Sequence, residues 1–489
     1  MPRLRSISRS AWLALVLVLV VGGGIRLYQA QHPQPKLSQD ALSYTGIAQN
    51  IAKRGEYTGR TKRGPVPKES KRTGAEIRKD AEVKALHWPP FTPHVFALAY
   101  NLTPGDHPSS RDDLKSLNYA QWAISTGTIV AAFALGWVLI GAWTGVAGAA
   151  VVALYPPLAW GPSSLLSEPL GAFFVAWAFT ALTLAWRTRR RPWWAMAGAL
   201  FGAVLLTRTD LLFVPILCAF LGLVVLGNTV SWRLGAQSAA LMLVGLVVVV
   251  APWTIYATHK SGSFVPVTTG GGSALFVGTF LPGNGSTFDM KFALRDEVVK
   301  RHPNASYSKP GSTYTDIPAA VVLDDIAARH PELDRDAALS KEAKENLRKY
   351  ALGDPISFGK MMLFKAAKMW SRYARGGFDH TSPWWTALHD AIVLLGALGV
   401  LWGVVRVRDA AIASIGLGLL VATGVHTLAV AHGRYNLPLM PILIVAGCAG
   451  WTLGIREWRA ARRPRPGGSG PASDELPSAA ARPGTPTPA

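Results

Sequence analysis

Apolar and polar positions along this chain are segregated into long blocks. Ten apolar runs stand out, at 10–29, 116–140, 144–161, 166–186, 193–208, 210–227, 234–256, 384–405, 410–431 and 435–456. A helix needs about 20 predominantly apolar residues to cross the hydrocarbon core of a bilayer, so runs of this kind predict membrane-spanning helices. Backbone groups in lipid must be satisfied within their own segment, which makes helix the expected form throughout. Two hydrophilic blocks interrupt the series, at 30–115 and 257–383, and a polar tail follows at 459–489. The predicted fold class is therefore an all-α polytopic membrane protein of about ten transmembrane helices with an extracytoplasmic loop domain. Its expected parts are an N-terminal transmembrane module, 1–256, which contains the first loop; an extracytoplasmic domain, 257–383; C-terminal helices, 384–458; and a disordered cytoplasmic tail, 459–489. The short apolar segment Pro89–Leu102 carries Pro89, Pro90 and Pro93 and predicts a re-entrant or surface segment rather than a full span.

Composition agrees with this pattern. Of the 489 residues 49% are hydrophobic and only 16% charged, against about 25% charged in an average soluble domain. The net charge of +21 does not require nucleic acid as a partner. Much of it lies in short connections, RTRRR at 187–191, NTVSWR at 228–233 and RVRD at 406–409, and in the tail. The positive-inside rule puts these in the cytoplasm and places the two long hydrophilic blocks outside. The two cysteines, Cys218 and Cys448, sit inside apolar runs and read as packing residues without disulfide or zinc spacing. The tail, rich in proline, glycine, serine and alanine, cannot bury enough apolar surface to fold.

The first loop opens with DALSYTGIAQNIAKRGEY and closes with HWPPFTPHVFAL around a basic insert, Thr61 to Lys84. On a helix Asp40, Tyr44 and Ala48 share one face. Ser38 and Asp40 both suit an N-cap, so a cap is one complete account of Asp40. In the second block, FVPVTTGGGSALFVGTFLPGNG shows no helical period, whereas 317–373 reads as helices. Within the latter, Phe358, Met361, Met362, Met369, Trp370 and Tyr373 recur at helical spacing with Lys360, Lys365, Lys368, Arg372 and Arg375 among them, the pattern of an interfacial helix resting on lipid.

This topology gathers ionisable residues at the outer helix ends: Asp40, Glu168, Arg208, Asp210, His432 and Arg434, with Tyr435 beside the last. Each has a plainer role. Glu168–Pro169 suits a helix start, Arg208 and Asp210 can neutralise one another, and Arg434 can snorkel. Their arrival on one side points instead to a shared cavity, because ionisable residues at such depth usually serve function. Arginine binds phosphate with a fixed fork of donors, a carboxylate can take a proton from an attacking hydroxyl, and apolar spans below can hold a lipid tail.

An ordered set of stretches carries a family resemblance: Asp40 with Tyr44 and Ala48, the PP turn of HWPPFTPHVFAL, SEPL, LLTRTDLL, APWTIY at 251–256, GGGSALFVGTF and RYNLPLMP. Over most of 8–456 the chain resembles the GT-C membrane glycosyltransferases, in the branch of protein O-mannosyltransferases and lipid A aminoarabinose transferases. The resemblance implies a polyprenyl-phosphate-sugar donor, inversion in a single displacement, and an extracytoplasmic active site in the plasma membrane. It implies Asp40 as catalytic base with Glu168 as the fallback. Arg434 and Tyr435 fall on the donor-binding side, with Arg208, Tyr44, His87 and Lys84 as further substrate-binding candidates. Expected partners are the lipid-linked sugar, membrane lipid, and an acceptor glycan, lipid or protein, with no nucleic acid. No cofactor is assigned. Ala41 follows Asp40 where many relatives carry a second acid, which leaves a divalent metal open. A lipid-linked sugar transporter or flippase and a glycan polymerase or ligase are the alternatives.

Overall fold

The computed structural model of the protein describes residues 6–34, 37–59, 82–102, 114–371 and 383–462. Most of the basic insert 61–84, residues Arg372, Tyr373 and Arg375, and the tail beyond 462 lie outside the described residues. The bundle is built from α1 (Arg9–Gln31), α4 (Lys115–Leu139), α5 (Ala142–Leu154), α6 (Glu168–Thr188), α7 (Arg191–Leu205), α8 (Phe213–Thr229), α9 (Trp232–Ser261), α14 (Pro383–Val405), α15 (Ala410–Leu428) and α16 (Met440–Ala461). Between α1 and α4 lie α2 (Gln39–Arg54) and α3 (Phe91–Asn101). Outside the bundle are α10 (Gly271–Thr279), α11 (Ala319–Ala327), α12 (Arg335–Asn346) and α13 (Pro355–Ser371).

Among the described residues, eight helices are long and apolar enough to cross a membrane. The other two predicted spans are α5 and α7, of 13 and 15 residues. At 1.5 Å per residue they reach about 20 and 22 Å, short of a core roughly 30 Å thick. They nonetheless reverse the chain. Gln121 Nε2 donates to Leu166 O (2.7 Å) and Arg187 Nη2 to Leu139 O (3.1 Å), so α4 and α6 run parallel and α5 must return between them. Ring contacts Phe179–Phe201 and Trp186–Trp194 pair α6 with α7 in opposite directions. One end of the bundle, called here the mouth, therefore collects the end of α1 and the starts of α4, α6, α8, α14 and α16. The opposite end carries Arg187, Arg189, Arg190, Arg191, Arg406 and Arg408.

Over the mouth, α3 lies on α2 through Phe96 and Tyr100, both buried. Its 11 residues are too short to span. The outer segment has its own small core, including Phe276, Met290, Ile326 and Leu339. Here one expectation fails: the glycine-rich stretch without helical period contains the helix α10. It starts after Gly270, at φ 95°, and its Gly272 lies so close to α12 that a Cβ would stand 2.1 Å from Asp336 O. The helix is set by packing on α12, which a periodicity search does not register.

The helix α13 forms as predicted, but the face expected to rest on lipid packs into the protein instead: Phe358, Met361 and Met369 are buried, while Ile356, Leu363 and Phe364 are exposed. Lys365 departs from the predicted solvated set. It is buried, donating to Gly278 O (2.8 Å) and Ala429 O (2.6 Å), and so ties the ends of α10 and α15 together.

Candidate functional site

Four distant stretches converge at the mouth. The first is α2. Its N-cap is Ser38, whose hydroxyl accepts from Ala41 N (3.2 Å), and its C-cap is Gly55 in the left-handed region. Asp40 is therefore a first-turn residue rather than the cap. Its charge is favoured there by the helix dipole, and its carboxylate is free to reach across the mouth to Arg434, from which it accepts a hydrogen bond. One turn on, Tyr44 is buried and packs edge-on to Trp88 (5.0 Å between centroids). Burial holds its phenol above the ordinary tyrosine range, so Tyr44 serves as a hydroxyl rather than as a base.

Glu168 opens α6 in a buried position. Its Oε1 lies 3.4 Å from Arg208 Nη1 and 3.5 Å from Arg434 Nε, so one carboxylate oxygen stands between two guanidinium groups. The other oxygen, Oε2, is buried with no hydrogen-bond partner among the described residues. Arg208 follows the end of α7 and forks onto Asp210, with Nε–Oδ1 at 3.1 Å and Nη2–Oδ2 at 2.7 Å. Arg434 enters from the 3-10 segment Gly433–Leu439 that precedes α16. Both arginines lie over the Tyr435 ring, at 5.2 and 5.6 Å from its centroid.

His426 was not among the residues singled out from the sequence. Its Nε2 stands 2.9 Å from Asp210 Oδ2, and its ring stacks on Tyr435 at 4.9 Å. The available signal was an ionisable residue inside an apolar run, in the last turn of α15. Arg26 was missed for the same reason. This buried residue of α1 donates to Ser125 Oγ (2.9 Å), Gly22 O (3.1 Å), Ala153 O (2.8 Å) and Val152 O (2.9 Å). It thereby caps the C-terminal end of α5 and, among the described residues, shows no carboxylate partner.

The remaining candidates lie further out. Lys84 is exposed on the turn at 82–85. His87 is exposed too, its Nδ1 3.1 Å from Thr269 O. The PP turn is pinned by Tyr57 Oη donating to Trp88 O (2.8 Å) and by Phe91 N donating to Leu206 O (2.9 Å). That second bond sets the turn beside Arg208.

Arg26, Ser125, Trp160, Glu168 and Arg434 line a crevice of about 40 Å³. A water needs about 10–15 Å³ on this measure, so the crevice holds a few waters and side chains must shift to admit a sugar. By formal charge three carboxylates, Asp40, Glu168 and Asp210, face two arginines, Arg208 and Arg434. The carboxylates are held by arginine. Among the described residues, the one group of acid and histidine ligand atoms close enough to share a metal is His330, Glu342 and Glu345, in the outer segment. The mouth as arranged is thus an arginine–carboxylate site.

No family model matches the chain, and no curated protein matches its sequence. Solved structures match its fold. The oligosaccharyltransferase of Archaeoglobus fulgidus in its apo form gives a TM-score of 0.53 at 13% identity, over 92% of this chain and 51% of that one. The oligosaccharyltransferase AglB of Archaeoglobus fulgidus, in complex with an inhibitory peptide and a dolichol-phosphate, gives 0.51 at 12% identity, over 93% and 51%. ArnT from Cupriavidus metallidurans, bound to undecaprenyl phosphate, gives 0.39 at 15% identity over 93% and 80%, too slight a likeness to argue from. This chain spans about half the length of the oligosaccharyltransferases it matches. The fold is the multi-pass GT-C fold of membrane glycosyltransferases.

Proposed function

We propose that this protein is an integral-membrane glycosyltransferase that moves a sugar from a polyprenyl-phosphate donor to an acceptor hydroxyl on the extracytoplasmic face, with inversion. The observation that carries this reading is the contact between Asp40 and Arg434 beside Glu168 and Arg208. It joins a base to a phosphate ligand at one helix-bundle mouth. The complex of AglB with a dolichol-phosphate lends support, since a lipid phosphate is there the ligand of a protein of this fold. A flippase would want charges and broken helices at mid-membrane, and these charges gather at one end of the bundle.

In the proposed reaction the donor phosphate and Asp40 compete for Arg434. Phosphate entry moves Arg434 from the carboxylate to the phosphate and frees Asp40. The freed carboxylate takes the acceptor's proton as the acceptor oxygen bonds to the anomeric carbon from the opposite face. The bond from that carbon to the phosphate oxygen breaks, and polyprenyl phosphate leaves with its added negative charge held at Arg434. Arg208, fixed by Asp210 and stacked over Tyr435, is the second cation; Glu168 spaces the two guanidinium groups.

The test separates binding from turnover, using undecaprenyl phosphate as the binding probe and formation of glycosylated acceptor in cells as the turnover readout. Asp40→Asn should lose roughly 10²–10⁴-fold in rate, as removal of a general base does. Because Arg434 is then released, it should bind the probe more tightly than wild type. Arg434→Ala should weaken probe binding about ten- to a hundredfold, and Arg434→Lys should also be impaired, since lysine lacks the fork. Normal turnover in Asp40→Asn with a dead Glu168→Gln would transfer the base role to Glu168. Normal turnover in both would sink the enzyme reading.

A further inference from the structure

The outer segment holds a cavity of about 600 Å³ that the mouth cluster leaves unexplained. This is within the range of small-molecule sites. Its floor is apolar. Phe280, partly exposed, lines it, stacked with centroids 5.5 Å apart and planes 21° apart on Phe276, which with Ile326 of α11 is buried behind it, 1% and 2% exposed. One wall is the last turn of α12. Glu342 and Asn346 line it from buried positions, 9% and 8% exposed.

Beyond Asn346 the helix widens into a π-helical stretch, Leu347–Leu352. Such stretches are rare and frequent at functional sites. This one turns Arg348, Lys349 and Tyr350 onto the rim of the cavity. Lys349 Nζ sits 5.2 Å from the Tyr350 ring centroid.

The back of the cavity is already committed. Glu342 is held by His330 Nε2 (3.0 Å) and Arg329 Nη1 (3.4 Å), and Arg329 also pairs with Glu297 (2.9 Å). Lys341 Nζ stands 3.1 Å from His330 Nδ1. With a lysine and an arginine against it, the His330–Glu342 group is an ion-pair network rather than a cation site.

What remains facing the space is a mixed set: Glu345, Arg348, Lys349 and Tyr350, with the amide of Asn346, whose Nδ2 already donates to Thr279 Oγ1 (3.4 Å), at its edge. Arg348 and Lys349 on the rim outnumber the carboxylate of Glu345, so the opening is slightly positive, which disfavours a cationic ligand and suits a neutral one that offers acceptors as well as donors. An aromatic floor under planar donors and acceptors is complementary to a sugar ring. The ring's C–H face covers the aromatic surface, and its hydroxyl edge meets amide, carboxylate and guanidinium together. We propose that this cavity binds a carbohydrate chain, as a saccharide site separate from the mouth. The binding does not rest on the transferase reading. If that reading holds, the cavity is where an acceptor glycan is held.

The experiment uses the full chain in nanodiscs, because sugar-headed detergents would compete. Mannotriose, galactotriose and arabinotriose serve as probes, read by saturation-transfer NMR. At least one should bind saturably. Glu345→Ala and Arg348→Ala should each weaken that binding about tenfold or more, the effect of losing a charged hydrogen-bond partner, while binding of undecaprenyl phosphate stays at the wild-type level. Tyr350→Phe gives a third variant of minimal change in shape. Absence of saturable binding by all three sugars in a protein that still binds undecaprenyl phosphate overturns the proposal. So does sugar binding indifferent to the three substitutions. Binding of phosphatidylglycerol vesicles that is lost in Arg348→Ala, without any sugar binding, would make the rim a lipid-headgroup site and also overturn it.

Discussion

Two polar clusters in this protein are built on opposite terms. At the mouth, Glu168 and Arg208 side chains are 6% and 9% exposed, and Asp40, Asp210 and Arg434 are 28%, 24% and 17% exposed. The residues come from positions 40, 168, 208–210 and 434. In the outer segment, Arg301 and Glu297 are each 39% exposed, Arg335 and Asp324 are 45% and 61%, and the network draws on neighbouring helices between 297 and 342. Water screens the exposed pairs of the second set, although there too one oxygen, Glu297 Oε1, serves two arginines, Arg301 and Arg329, each at 2.9 Å. Burial makes the first set share its charges: one oxygen of Glu168 serves two arginines, and the other has no hydrogen-bond partner among the described residues. The first cluster joins residues from distant stretches of the chain at low exposure; the second ties neighbouring helices of the outer segment together.

Substitutions can break or sharpen this contrast. Asp210→Ala should have the largest effect on folding. It strips Arg208 of its bidentate partner in a buried setting, and removing one member of such a pair costs about 3–5 kcal/mol. Thermal unfolding in detergent should show a midpoint well below wild type; an unchanged midpoint would mean that Glu168 alone neutralises Arg208.

The seam between the two regions gives the next effect. Burial, with Lys368 adding to it, pulls the Lys365 ammonium down to about 7 from its ordinary 10.5. The unfolded chain then holds a proton between about 7 and 10.5 that the folded chain has released. Stability should therefore rise with pH across that window: the penalty for burying the charge is felt in full below about 7 and is gone above about 10.5. Melting measured from about pH 6.5 to about pH 9.5 should climb in wild type more than in Lys365→Met. Equal slopes would show that the Gly278 and Ala429 carbonyls keep the ammonium charged.

Arg335→Ala should change least. It breaks a 2.6 Å contact with Asp324 between two exposed side chains, and such pairs contribute about 0–1 kcal/mol. A midpoint shift comparable to that of Asp210→Ala would erase the distinction between the clusters.

Much of the architecture is legible in the amino-acid sequence. Apolar runs predict helices because lipid leaves the backbone no other partner, and the arginines of 187–191 and 406–408 set direction because charge resists translocation. Those are local properties. They located every helix of the bundle, although α5 and α7 are shorter than the spans expected. They also brought Asp40, Glu168, Arg208 and Arg434 to one end, since residues at helix ends of known direction need no further information.

Tertiary structure alone decided which of them touch. Whether Ser38 or Asp40 caps α2 was undetermined, because each side chain can accept from the N–H groups two or three residues on; the bond from Ala41 N gives the cap to Ser38, and Asp40 reaches Arg434, 394 residues away. The helix α10 formed where no period announced it, because Gly272 is there for the approach of α12 and Gly278 for that of the end of α15. His426 and Lys365 were lost among apolar neighbours and among solvated lysines, respectively. A side chain's partner depends on what the fold places within a few ångströms, and that distance is not a function of sequence separation.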